Sequence, residues 1–133
     1  MRHQKKGRKL GVNPYHRKAM LRNLASNLIE HKRIKTTNAR AKELRTFIEP
    51  LITKAKKGDL HSIRQIAKKL PRKEIVNQLI NDVAPIFAER NGGYTRIIKL
   101  ENRKNDNAKM SLIEFVGLEM TEKIEEENTE DSK

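Results

Sequence analysis

Apolar residues recur at helical spacing in four stretches of the chain. Met20, Leu21, Leu24, Ala25, Leu28 and Ile29 form the first. It follows Asn13-Pro14, an N-cap residue with proline at the first helical position. Its opposite face carries His16, Ala19, Asn23, Ser26 and Asn27, short side chains past which another backbone can approach closely. Leu44, Phe47, Ile48, Leu51, Ile52 and Ala55 make the second and clearest face, capped by Thr37 or Asn38. Pro50 sits inside it and is expected to cost a hydrogen bond or impose a kink. Gly58-Asp59 ends that helix and opens a third, with Leu60, Ile63, Ala67 and Leu70 on one face and Pro71 as its stop. Ile75, Val76, Leu79, Ile80, Val83 and Phe87 predict a fourth, with Pro85 near its C-terminal end.

Between and after the helices the period shortens. Residues 32–37 (KRIKTT) predict a short strand with β-branched Ile34, Thr36 and Thr37. Asn91-Gly92-Gly93 is a turn signal. Beyond it, residues 94–101 and 110–120 predict two strands joined by the eight-residue loop 102–109. Hairpin loops usually have two to five residues, so this one, with Arg103, Lys104 and Lys109, is read as a reaching loop. Ile97, Ile113 and Phe115 are expected on one sheet face, and Ile98, Leu112 and Val116 on the other. Both faces then carry apolar residues, which leaves room for a partner on one of them.

Charge changes this picture from a fold to a partner. The 133 residues carry a net +13, a footprint for a polyanion. The excess is uneven: residues 1–57 hold 17 Lys/Arg against 3 Asp/Glu, whereas residues 121–133 hold 2 against 6. Three parts follow: a basic arm (1–12), one α/β domain (13–120) and an acidic tail (121–133). The arm holds Arg2, Lys5, Lys6, Arg8 and Lys9 with no acid, and is expected to be extended. The alternative is a terminus with no function. The tail, nearly free of apolar residues, is expected to be disordered.

Candidate chemistry is sparse. There is no Cys, which excludes disulfides, thiolate catalysis and Cys-based zinc sites. His3 and His16 lie in a cationic setting that repels divalent metals, and His31 and His61 have no obvious second ligand. Glu30, Glu43, Glu49, Asp59, Asp82, Glu89 and Asp106 form no nuclease motif. Phosphate-cradling loops and nucleophile elbows are absent from the sequence. No apolar run approaches a membrane span, and no secretory signal follows Met1. No metal, cofactor or catalytic residue is therefore expected, and the expected compartment is the cytoplasm.

Three stretches together resemble one family. They are Met1-Arg2-His3 with Gly7-Arg8-Lys9-Leu10 and HRKAMLRNLASNLIEH at 16–31; IKTT at 34–37 with RAKELR at 40–45 and EPLIT at 49–53; and RNGGYTRIIKL at 90–100 with Asp106, Ala108, Met110 and IEFV at 113–116. In this order they are similar to the L-seventeen family of bacterial large-subunit ribosomal proteins, from Met1 to about Leu118. The resemblance implies a two-layer α/β fold in which helices pack on a small mixed three-stranded sheet, in the order α-β-α-α-α-β-β. It implies a structural protein bound to large-subunit (23S) rRNA near the peptide exit tunnel. Neighbouring ribosomal proteins, among them numbers thirty-two and twenty-two of the large subunit, are expected beside it. Two positions depart from the family pattern. Asn105-Asp106 stands where the family usually has Gly-Asp, although Asn tolerates a left-handed backbone. Pro14-Tyr15 stands where small hydroxyl residues are common, which puts Tyr15 either against RNA or against the arm.

On this reading the RNA contacts come from the arm, the first helix, the second helix and the hairpin. The arm supplies Arg2, His3, Lys5, Lys6, Arg8 and Lys9, and the first helix His16, Arg17, Lys18 and Arg22. Arg40 opens the second helix, Tyr94 and Arg96 open the hairpin to contact RNA or secure its turn, and Arg103 and Lys104 lie in its loop. Two other classes stay open: a general DNA- or RNA-binding regulator, and a metal-dependent RNA-processing enzyme. Charge spread over several elements, with no single recognition helix, speaks against the first.

Overall fold

The computed structural model describes residues 7–117. The expectations for residues 1–6 and for the acidic tail lie outside them. α1 (Pro14–His31) starts on Asn13, whose side chain accepts the His16 N–H at 2.8 Å. It stops at Lys32, a left-handed residue at φ 70° whose N–H closes on the Leu28 carbonyl. β1 (Arg33–Thr37) follows at once.

α2 (Asn38–Lys57) is capped by Thr37, which accepts the Arg40 N–H. Asn38 instead accepts from the Ser111 hydroxyl at 2.9 Å, tying the helix start to the sheet. The helix runs through Pro50, which sits on its exposed side. There the carbonyl deprived of a helical partner belongs to exposed Thr46, within reach of water. Gly58, left-handed at φ 68°, ends α2. Asp59 then caps α3 (Leu60–Lys69) by accepting the Ser62 N–H at 3.1 Å.

The face of α3 differs from the expected one. Ser62, Ile66 and Leu70 point inward, whereas Leu60 is 62% exposed and Ala67 faces solvent. The inward set repeats every four residues and includes a serine, so an apolar count selects the wrong stripe. The fourth periodic stretch is not one helix. α4 (Lys73–Gln78) passes into a π turn (Leu79–Val83) and a 3-10 turn (Ala84–Phe87). Pro85 has no N–H to continue the α ladder, and the Ala84 N–H reaches back five residues to Leu79.

β2 (Thr95–Lys99) and β3 (Met110–Phe115) complete the sheet in the order β1-β3-β2. A mixed sheet was expected; the observed one is antiparallel throughout. β3 lies between the other two and runs against both, so the two strands that share a direction never pair. In-register rows alternate between faces. Ile34, Ile113 and Ile97 share the helix side, where Phe115 also points, while Lys35, Leu112 and Ile98 share the outer side. The helices form the second layer, with α2 touching all three strands.

Leu28, Ile29, Leu44, Ile48, Ile52, Ile113 and Phe115 are fully buried between the layers. Phe87 packs on Tyr94 and Phe115, with ring centroids 5.1 and 6.0 Å away. Such tilted aromatic pairs contribute beyond their buried area. Phe47, read as part of the core face of α2, is only half-buried at its margin.

Candidate nucleic-acid interface

The described part of the arm does not extend away from the domain. Residues 7–12 turn back, with positive φ at Gly7, Leu10 and Gly11. Arg8 docks them on α2: its backbone N–H and its Nη1 lie 3.2 and 3.3 Å from Glu43 Oε2. A Cβ on Gly7, at φ 102°, would stand 3.2 Å from the same carboxylate, so glycine suits this close approach. Arg17 Nη1 reaches the Lys9 carbonyl at 3.5 Å, joining the arm to α1. The arm and the first turns of α1 and α2 are thus held together, with Arg8, Lys9, His16, Lys18 and Arg40 exposed. Arg22 is half-buried and donates to the Lys68 carbonyl of α3.

The hairpin uses its charges differently. Arg103 grips Asp106 through two hydrogen bonds of 2.9 and 2.6 Å, and the Ala108 N–H donates to the same side chain. Those donors, Arg103 first, hold the Asp106 carboxyl down at about 2, and the carboxylate holds the guanidinium above its usual value. The left-handed residue of the loop is Asn107 at φ 55°, two positions beyond the Asn105 expected to take that role. The loop is therefore cross-braced by its own side chains, and Lys104 is exposed at its bend. Arg96 on β2 donates to Glu114 on β3.

Tyr94 is not on this surface. Its ring lies in the core at 1% exposure, and its hydroxyl sits 3.2 Å from Thr53 Oγ1 and 3.3 Å from Lys56 Nζ. The Lys56 ammonium also bonds the Arg90 carbonyl, and Glu49 accepts from the Thr95 N–H and hydroxyl. These contacts fasten the entry to β2 onto α2. Of the two roles expected for Tyr94, securing the turn is the one its position allows.

Three cations outside the expected set stand in the same region. Lys42, Lys99 and Lys109 line two shallow grooves beside Arg8. Lys99 shares the helix-side row of Ser111 and Thr36, which brings it toward the start of α2. Strand pairing creates that meeting, so no spacing along the chain announces it. Among the described residues no group of three His, Asp or Glu is placed to hold a metal ion. None of the described helices is long and apolar enough to cross a membrane.

Fold and charge define a small, strongly basic α/β protein that draws its surface cations from several elements. The family model for ribosomal protein L17 matches residues 20–116, and the chain belongs to that family. The large ribosomal subunit protein bL17 of Syntrophotalea carbinolica is 50% identical over 124 residues, covering 93% of this chain and 80% of that protein. The large ribosomal subunit protein bL17 of Geobacter metallireducens is 50% identical over 123 residues, covering 92% and 69%.

Proposed function

We propose that the chain binds large-subunit (23S) rRNA near the peptide exit tunnel and thereby supports subunit assembly. Its family makes it a structural constituent of the bacterial large ribosomal subunit, cytoplasmic with that particle, and not an enzyme. The observation that carries the RNA reading is the gathering of arm, α1, α2 and hairpin cations in a chain of net +13. Lys and Arg neutralise phosphates and release condensed counterions, which favours binding at low salt. Arg8, Lys9, His16, Arg17, Lys18, Arg22 and Arg40 supply these contacts, with Arg96, Arg103 and Lys104 from the hairpin. Arg2, Lys5 and Lys6 join them on charge alone, and His3 as a group that stacks on or hydrogen-bonds to RNA.

The exit-tunnel location, and contact with ribosomal proteins thirty-two and twenty-two of the large subunit, rest on the family resemblance. RNA shape and unpaired segments supply selectivity, because side chains cannot read a deep A-form major groove. The test is affinity for large-subunit rRNA fragments across a salt series, alongside small-subunit rRNA and duplex DNA. Tighter binding to one large-subunit fragment, weakening steeply with salt, is expected. Equal affinity for all three would favour a general nucleic-acid binder.

A further inference from the structure

We infer that the sugar-phosphate backbone of the bound RNA runs through a channel between the arm, the start of α2 and the stem of the hairpin, and that Arg8, Lys42, Lys99 and Lys109 hold consecutive phosphates there. The inference rests on the RNA-binding reading above and deepens it by naming where the strand lies.

The channel consists of two adjoining grooves. One, of about 300 Å³, is lined by Arg8, Thr37, Ala39 and Ala108. The other, of about 330 Å³, is lined by Lys99, Leu100, Asn102, Met110 and Ser111. Both share Asn38, Lys42 and Lys109. These shared residues place the two grooves side by side. Four cations from four segments border them, and neither groove has an acidic residue in its lining. Glu43, the nearest acid on α2, is engaged by Arg8.

Lys42, Lys99 and Lys109 are exposed, so burial or packing does not account for their placement. Gathering like charges around adjoining grooves is unfavourable until an anion enters them. The walls between the cations are small or uncharged: Ala39, Ala108, Thr37, Asn38 and Ser111. A polymer with regularly spaced charge can lie along them without steric conflict. The polar end of α2 opens into the same place, and its first turn has no acid to compete for the ligand. The polar wall groups Thr37, Asn38, Asn102 and Ser111 are already hydrogen-bonded within the protein, so the channel recognises phosphate spacing more than sequence.

Arg103, like Arg8, is paired with a carboxylate, Asp106, but it lies outside both groove linings. The hairpin therefore contributes through its stem, at Lys99 and Lys109, more than through its tip.

The experiment compares two triple variants of the full chain: K42Q/K99Q/K109Q in the channel, and K57Q/K68Q/K73Q on exposed lysines of α2, α3 and α4 away from it. Both remove three charges, so general electrostatics changes equally. Circular dichroism melts confirm that both remain folded. Affinity for a large-subunit rRNA fragment is measured across a salt series. The channel variant is expected to lose about tenfold or more in affinity and about 2 in log–log salt slope, and the control far less. Equal losses in the two variants, with wild type still binding, would overturn the channel and leave the RNA reading standing. Failure of wild type to bind any rRNA fragment would overturn both.

Discussion

Arg96 places its Nε and Nη2 3.0 and 2.6 Å from one oxygen of Glu114, while the other oxygen lies 3.8 Å from Arg33 Nε. The three residues are in register across β2, β3 and β1. Glu114 is only 6% exposed although it lies on the outer face of the sheet, so a near-buried carboxylate stands between two guanidinium groups. The pair also means that Arg96 does structural work besides any contact with RNA.

Removing Glu114 leaves the two guanidinium groups facing one another across the central strand. Charge-assisted hydrogen bonds contribute about 1.5–3 kcal/mol each way they are measured. Glu114→Ala is expected to lower stability by about 2 kcal/mol in urea titration. An unchanged midpoint would mean that the arginines are held by other groups.

Core substitutions on α2 should rank by depth. Leu44 is fully buried and Phe47 half-buried. Leu44→Ala is expected to cost about 2–5 kcal/mol. Phe47→Ala should cost less, despite removing a larger side chain. Equal or reversed costs in denaturant titrations would place Phe47 inside the core after all.

Tyr15 is 88% exposed, which removes packing against the described arm as its role. Tyr15→Ala should leave the melting temperature unchanged. Stacking of a base on an aromatic ring is worth about 1–3 kcal/mol, so the same variant should weaken binding to single-stranded rRNA segments. Unaltered affinity would make the ring a bystander.

Asp106 gives a pH signature. Its carboxyl is depressed from 3.8 to about 2 in the fold, chiefly by Arg103 and then by the Ala108 N–H. A depressed carboxyl stabilises the folded loop above the ordinary carboxyl range and loses that contribution as pH falls through about 2. Carboxyl NMR should show Asp106 titrating well below exposed glutamates, with the loop amides of 103–108 loosening in the same range. A midpoint near 3.8 would show that the brace does not persist in solution.

Local chemistry was legible in the sequence wherever neighbours in the chain are neighbours in space. Asn13, Thr37 and Asp59 cap the helices that their positions predict, and the periodicity of α2 identifies its buried face apart from Phe47. Features set by partners far along the chain were not. The inward face of α3 depends on what α2 and α4 present to it, and the antiparallel sheet depends on β3 entering between strands that precede it. Lys99 and Lys109 meet Lys42 only because of that pairing. The arm's cations were readable as charge, but the turn that lays Arg8 on Glu43 rests on a contact across 35 positions.

The central strand of the sheet is also the last of the described strands along the chain. Arg33 of β1 waits for Glu114, about eighty positions later, before its edge is covered. Helices α1 to α4 can form as they emerge, but no strand has a neighbour until β3 follows β2. Closing so long a loop is entropically costly and slow compared with local helix formation. A chain that stalls before about residue 110 therefore presents β1 unpaired and the sheet side of α2 bare. A copy cut short before β3 therefore keeps its helices but leaves β1 and β2 without a partner, an opened arrangement that proteases attack more readily than the closed sheet.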